Sequence, residues 1–222
     1  LNNTTGNYNA AVGLNSLRNN STGINNSALG FESMYYNTSG SSNTAIGLGA
    51  LTHNTTGYSN IAIGVYAAFS NTTQANLVAV GDSALYNNST GYLNTALGSK
   101  TLWLNTTGFD NTALGSRALQ NNTSGWNNTA VGIEALINNS TGNYNTAIGS
   151  NSLYANTTGY RNTTVGEGSN LLNTTGYNNT AFGQGSLILT TTGWQNTAIG
   201  SATLNINETG SYNTTLGYNT GP

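Results

Sequence analysis

Apolar and polar residues alternate along this chain in a pattern that repeats every seventeen residues. In a representative unit, residues 105–121, the run Thr112–Leu114 ends at Gly115, and a second apolar run follows at Ala118 and Leu119. Both runs are shorter than a helix and have the length of a short strand. When each unit is numbered from its first residue, the pattern therefore predicts strands at positions 8 to 10 and 14 to 16.

The register continues through thirteen units without insertion or deletion, from the unit that begins at Asn3 to the unit that begins at Asn207. A fixed period below thirty residues is typical of solenoids, in which each unit forms one coil stacked on the last. The sequence thus predicts an all-β fold, a parallel β-solenoid of the β-roll or β-helix type with about thirteen coils and no helices. Because the register has no break, we expect one continuous rod over residues 1–222, taken from a longer protein.

Glycine recurs at position 11 in every unit and at position 4 in twelve of the thirteen. Glycine adopts positive φ without steric cost, so both columns predict corners of the coil. The position-11 corners include Gly47, Gly64, Gly98, Gly115, Gly149 and Gly183.

Large apolar residues occupy position 10 in all units and leucine occupies position 15 in nine. Both columns are expected to face an interior, which predicts a core of Leu29, Ile46, Leu51, Ile63, Leu97, Leu102, Leu114, Leu119, Ile148, Leu153 and Ile199. Side chains alternate along a strand, so position 8 should share the inner face and position 9 should face outward. Position 9 is Ala in eleven units. A small outer residue suggests packing against another chain, so we predict subunit contacts at Ala45, Ala62, Ala96, Ala113 and Ala147.

Charge and reactive side chains exclude several functions. Charged residues are 5% of the chain, the net charge is −2, and the sequence has no Cys and one His. Without a basic stripe, nucleic acid is not an expected partner. The longest nearly apolar run, residues 61–69, is too short to span a membrane. His53 is interpreted as a solvated turn residue, and the acidic residues form no column, so no cofactor, metal site or enzymatic activity is predicted.

An aromatic column occupies position 5 in seven units: Tyr58, Tyr92, Phe109, Trp126, Tyr160, Tyr177 and Trp194. Two interpretations stay open. The rings could form a stabilising ladder along the rod, or they could form a stripe that binds glycans or a partner protein, since Tyr and Trp offer large amphipathic contact areas.

Asparagine at position 1 begins an Asn-x-Ser/Thr sequon in twelve units. Asn-Thr-Thr-Gly is also favourable corner chemistry, which by itself explains the column. The alternative is N-linked glycosylation at sites such as Asn54, Asn105, Asn122, Asn156 and Asn173, or O-linked sugar on the position-3 hydroxyls.

Residues 43–47, Asn-Thr-Ala-Ile-Gly, resemble the Asn-Ser-Val-Ala-Ile-Gly type motif of trimeric autotransporter adhesin heads. The fuller segment at residues 139–149 also looks like repeats of phage-tail and surface-appendage fibre proteins. The resemblance to adhesin heads implies a left-handed parallel β-roll assembled as a trimer. This unit differs from the head motif by one residue fewer before Ile and by an added Asn-Thr-Thr-Gly corner.

These observations favour a structural protein, the shaft of an extracellular fibre, filament or adhesin on a cell surface or virion. We expect it to form homo-oligomers and to attach to surfaces, with glycans or a host or abiotic surface as further partners. One alternative is an ice-binding solenoid that uses the hydroxyls of positions 2 and 3. Another is a carbohydrate-binding repeat module that uses the aromatic column.

Overall fold

The computed structural model describes residues 4–221 and contains thirteen β-strands of three residues each. No helix occurs among these described residues. Asn3, which opens the predicted register, lies outside them. The strands are β1 Ala10–Val12, β2 Ser27–Leu29, β3 Thr44–Ile46, β4 Ile61–Ile63, β5 Val78–Val80, β6 Thr95–Leu97, β7 Thr112–Leu114, β8 Thr129–Val131, β9 Thr146–Ile148, β10 Thr163–Val165, β11 Thr180–Phe182, β12 Thr197–Ile199 and β13 Thr214–Leu216.

The chain divides into two compact units, a first unit at residues 1–110 with β1 to β6 and a second unit at residues 111–222 with β7 to β13. Within each unit, every strand pairs in parallel with the next strand along the chain. The pairing is offset by one repeat, so Ala11 lies beside Ala28 and Ala113 lies beside Ala130. The predicted parallel β-solenoid fold is confirmed, whereas the single continuous rod stays a prediction.

The two faces of the strands are reversed relative to the prediction. The position-9 alanines are buried inside their own coils and are therefore not subunit contacts: Ala45, Ala62, Ala96, Ala113 and Ala147. The position-10 residues Leu29, Ile46, Leu97, Leu114, Ile148 and Ile199 are 37–49% exposed, and Ile63 is half-buried. The prediction that this column forms the core was wrong.

The narrow interior of the coil explains the reversal. It already contains the fully buried leucines of position 15, including Leu51, Leu102, Leu119 and Leu153, which do form the core. Alternation places either position 9 or positions 8 and 10 on the inner face. Only the small position-9 side chain leaves room for a leucine from the opposite side of the coil, because protein interiors are close-packed.

Positions 11 to 17 form turns instead of the predicted second strand. The backbone is left-handed at positions 13 and 15, as at Arg117 (φ 60°) and Leu119 (φ 52°). In a strand, positions 14 and 15 would face opposite sides, but Ala118 and Leu119 are both buried. The left-handed conformation lets two consecutive side chains point inward, at a cost of roughly 1–2 kcal/mol for a non-glycine residue.

The predicted corners at position 11 are present. Gly47, Gly64, Gly98, Gly115, Gly149 and Gly183 have φ between +124° and +135°. A Cβ added to Gly149 would lie 2.5 Å from the carbonyl oxygen of Gly166 in the next coil. Glycine is required there both by its backbone conformation and by the close approach of the neighbouring coil.

Candidate functional site

Asparagine at position 1 lies inside the coil and forms a ladder of side-chain amides. Nδ2 of Asn139 donates to Oδ1 of Asn122 in the preceding coil (2.8 Å) and to the carbonyl oxygen of Gly142 (3.0 Å). Oδ1 of Asn139 accepts from Nδ2 of Asn156 in the following coil (2.8 Å). The column is therefore maintained by hydrogen bonding between coils in addition to its turn propensity.

Burial of this ladder argues against the alternative of N-linked glycans on these asparagines. The predicted acceptor residues are all completely buried, and each donates hydrogen bonds from Nδ2, the atom that would carry the sugar: Asn54, Asn105, Asn122, Asn156 and Asn173. In the folded chain these amides are structural and inaccessible.

A second ladder is formed by asparagine at position 7. Nδ2 of Asn128 donates to the carbonyl oxygen of Gly142 in the next coil (2.9 Å), and the backbone N–H of Asn145 donates to Oδ1 of Asn128 (3.0 Å). Each side chain thus provides the partner for a buried backbone donor, which would otherwise be costly. The two ladders place most polar groups of the interior in hydrogen bonds.

The side chains of positions 8 and 10 form what we term the outer sheet face. In the second unit, position 8 is Thr in all seven strands and position 10 is an aliphatic residue or Phe182. Leu114, Phe182 and Ile199 are 42–46% exposed. No charged residue occurs at either position in any of the thirteen repeats. The outer sheet face is therefore a surface of regularly spaced aliphatic and hydroxyl side chains.

The aromatic column at position 5 forms stacked groups. Tyr92 and Phe109 stack in the first unit, with ring centroids 4.9 Å apart. In the second unit Tyr177 stacks on Tyr160 at 4.9 Å and on Trp194 at 5.4 Å, with nearly parallel planes. The ring faces that would stack on a sugar are therefore largely turned toward neighbouring rings. This geometry favours the stabilising ladder over a glycan-binding stripe.

The remaining predicted stripe residues do not extend these stacks within their units. Tyr58 is exposed, and Trp126 contacts Tyr144 edge to face at 4.5 Å.

The hydroxyls of positions 2 and 3 have different surroundings. Oγ1 of Thr157, at position 2, donates to the carbonyl oxygen of Thr174 in the next coil (3.1 Å), and Oγ of Ser140 donates to the carbonyl oxygen of Thr157 (3.0 Å). The neighbouring position-3 side chains, such as Thr158, are exposed. The ice-binding hypothesis needs free hydroxyls at positions 2 and 3. The position-2 hydroxyls donate hydrogen bonds to the next coil, so only the position-3 row is available for ice.

The described His, Asp and Glu side chains are not grouped as metal ligands. Among residues 4–221, no group of three or more His, Cys, Asp or Glu side chains could hold a metal ion. His53 lies in a turn, as predicted, but it is only partly solvated, because Nδ1 is 3.1 Å from the carbonyl oxygen of Phe69 and the ring stacks on Tyr36. Arg117 and Glu134 form an ion pair at 2.8 Å.

These surfaces follow from the seventeen-residue repeat. Comparison of the chain with protein-family models, curated proteins and solved structures found no match. The resemblance to adhesin heads and fibre repeats therefore stays a hypothesis. In the described part of the chain, no helix has the length and apolar character needed to cross a membrane.

A groove of about 490 Å³ crosses the position-13 column of the second unit. Its floor is open at Gly168 and Gly185, where an added Cβ would meet no atom within 4 Å. Glu167 and Gln184 line it with polar groups, and Leu171 adds an aliphatic contact. The groove does not include the aromatic column, so the carbohydrate-binding hypothesis based on that column stays untested.

Sequence reasoning missed the outer sheet face, although side-chain size contained the signal. Position 9 never exceeds the size of Thr164, whereas position 10 ranges from Val131 to Phe182. An interior of fixed width tolerates little change in volume, so variation in size marks an exposed column and constancy marks a packed one.

Proposed function

We propose that this chain is a structural β-solenoid segment of an extracellular fibre, filament or adhesin, and that copies of it associate through the outer sheet face. The observation that supports this proposal is the exposure of the position-10 column, in which Leu114, Ile148 and Ile199 are 39–43% exposed. Contiguous exposed apolar side chains on soluble proteins mark interaction surfaces.

A second copy of the chain fits this surface better than an unrelated partner. Parallel coils repeat with a strand spacing of about 4.8 Å, so the side-chain columns of two copies have the same period and can interdigitate along the column. The absence of charge from positions 8 and 10, together with a net charge of −2, leaves little repulsion between copies.

The expected strength of this association is modest. Complete burial of one aliphatic side chain stabilises by about 1.5–3 kcal/mol, so covering a side chain that is 40% exposed contributes roughly 1 kcal/mol. The second unit has five exposed position-10 side chains: Leu114, Ile148, Phe182, Ile199 and Leu216. Burial of these five on each of two copies gives roughly 10 kcal/mol, against an association cost of about 4–15 kcal/mol. We therefore expect an oligomer whose mass depends on protein concentration.

Sedimentation velocity over a concentration series tests the proposal. The wild-type chain is expected to shift toward larger species as concentration rises. The double variant Ile148→Lys/Ile199→Lys places two charges on the outer sheet face and should weaken association at least tenfold. Asn151→Lys is the matched control, because its position already holds a cation at Arg117 in another coil.

A wild-type chain that stays monomeric at every concentration would contradict the proposal. The outer sheet face would also be excluded as the contact if the double variant associated as strongly as the Asn151→Lys control. Circular dichroism of each variant verifies that the fold is retained.

A further inference from the structure

Position 3 presents an exposed hydroxyl in every coil. The residue is Ser or Thr in all thirteen repeats, from Thr5 to Thr209 at seventeen-residue intervals, and its side chain is exposed in each. Position 12, which is exposed at Glu167 and Gln184, does not maintain one chemical type. In the second unit position 12 changes from Ser150 to Glu167 and then to Gln184. Exposure alone therefore does not explain why position 3 always carries a hydroxyl.

Within residues 4–221, only one position-3 hydroxyl forms a hydrogen bond. Oγ1 of Thr73 accepts a hydrogen bond from Nε2 of Gln74 (3.0 Å), in the single repeat where position 4 is not Gly. No other position-3 hydroxyl forms a hydrogen bond within residues 4–221. Removing these groups would leave the hydrogen-bond network of the coils unchanged.

The usual reason for Ser or Thr in a turn is also missing. Such hydroxyls normally accept a hydrogen bond from a nearby backbone N–H. Here the N–H groups of Ser140, Thr141 and Gly142 all donate to the carbonyl oxygen of Thr157 in the next coil, at 2.9, 3.2 and 3.3 Å. These three donors are thus already used.

The hydroxyl, and not the methyl group, is the feature that position 3 retains. Ser39 and Ser124 replace Thr in two repeats, while no repeat has Val or Ala. Packing of the Thr methyl group, or exclusion of water by it, would not explain why Ser occurs at position 3 and Val does not. A reaction at oxygen would explain it.

We propose that the position-3 hydroxyls are sites of O-linked glycosylation, with one monosaccharide on a coil. A glycosyltransferase would use a nucleoside diphosphate sugar as co-reactant. Oγ attacks the anomeric carbon, the new C–O bond forms as the bond from that carbon to the diphosphate breaks, and the nucleoside diphosphate leaves with the electron pair. The Oγ proton passes to a base on the transferase.

Spacing and charge select a small neutral group. Hydroxyls that repeat at about 4.8 Å leave room for one ring on each, not for branched chains. Phosphate would add nearly two negative charges to each coil, and neighbouring phosphates would repel one another. Sugars on this column would instead supply hydroxyls to the surface of a chain in which only 5% of all residues are charged.

Adjacent threonines provide an internal control for the test. Thr157 and Thr158 are neighbours, as are Thr174 and Thr175, but only the first residue of each pair donates its hydroxyl to the next coil. The chain isolated from its producing cells would be digested and analysed by mass spectrometry with electron-based fragmentation, which keeps sugars attached. We expect monosaccharide mass increments on Thr158 and Thr175 and none on Thr157 and Thr174.

The inference is overturned if position 3 carries no increment, carries phosphate, or is modified no more than position 2. A second measurement uses the unmodified recombinant chain. Thr158→Val should leave the unfolding midpoint unchanged, whereas Thr157→Val should lower it. A drop for Thr158→Val equal to that for Thr157→Val would reveal a structural role for the hydroxyl and would also overturn the inference. In producing cells, Thr158→Ser should retain the sugar.

Discussion

The position-1 amide ladder is interrupted at Thr190, the single repeat in which position 1 is not Asn. Nδ2 of Asn173 donates to Asn156 (2.7 Å) and Gly176 (3.1 Å), but Oδ1 of Asn173 is buried without a hydrogen-bond partner. The hydroxyl of Thr190 instead donates to the carbonyl oxygen of Asn207 (2.6 Å). We predict that Thr190→Asn closes this gap and stabilises the chain.

The magnitude follows from the bonds exchanged. An unpaired buried acceptor costs about 1–3 kcal/mol, which an amide at residue 190 would recover by donating to Asn173. The lost hydroxyl bond to Asn207 costs about 0.5–1.5 kcal/mol. The net gain is about 1 kcal/mol, because the two effects partly offset each other. For a chain of this length, that gain raises the unfolding midpoint by about 2–4 °C.

Thermal unfolding by circular dichroism, repeated in urea, measures the change. Thr190→Val is the matched control, since it removes the hydroxyl and leaves Asn173 unpaired, and it should lower stability by about 1 kcal/mol. An Asn variant that is no more stable than wild type would show that the amide ladder does not determine the preference for Asn at position 1.

Three further changes test the fold. Leu119→Ala should cost about 2–5 kcal/mol by opening a cavity, whereas Leu114→Ala, at a site that is 42% exposed, should cost about 1 kcal/mol; equal losses in urea unfolding would contradict the assigned faces. Gly149→Val should cost at least about 1–3 kcal/mol, because its Cβ would approach Gly166 and φ is +132°, and an unchanged thermal midpoint would refute that strain. Tyr177→Ala removes two ring stacks and should lower the free energy of unfolding by about 1–3 kcal/mol in the same assay. An unchanged midpoint would show that the stacks do not stabilise the fold.

Most of the fold could be predicted from the seventeen-residue period. The seventeen-residue register predicts parallel pairing with identical residues side by side, and Ala113 beside Ala130 follows from that period alone. The corner at position 11 could be predicted equally well, because no residue other than glycine adopts positive φ so readily. The leucine ladder could also be predicted, since a large apolar residue recurs opposite the strand.

Two features could not be predicted from local preferences. Alternation states that positions 8 and 10 share a face but does not say which face is inside, and the width of the coil decides this. Left-handed backbone at Leu119 has no sequence signal either, because leucine ordinarily avoids positive φ. At the candidate sites, the sequon in residues 156–158 marks a corner but does not reveal that Asn156 is buried while Thr158 is exposed.

Hydrogen bonds between coils run in both directions along the stack. The N–H of Ser140 donates to the following coil at Thr157, whereas the N–H of Gly149 and the side chain of Asn139 donate to the preceding coil. In an α-helix all peptide dipoles align and build up opposite partial charges at the two ends. Within each coil here, donors point in both directions, so their dipoles largely cancel. An added coil therefore does not increase the partial charges at the two ends of the stack. Duplication of the repeat can therefore change the number of coils without an electrostatic penalty that grows with length.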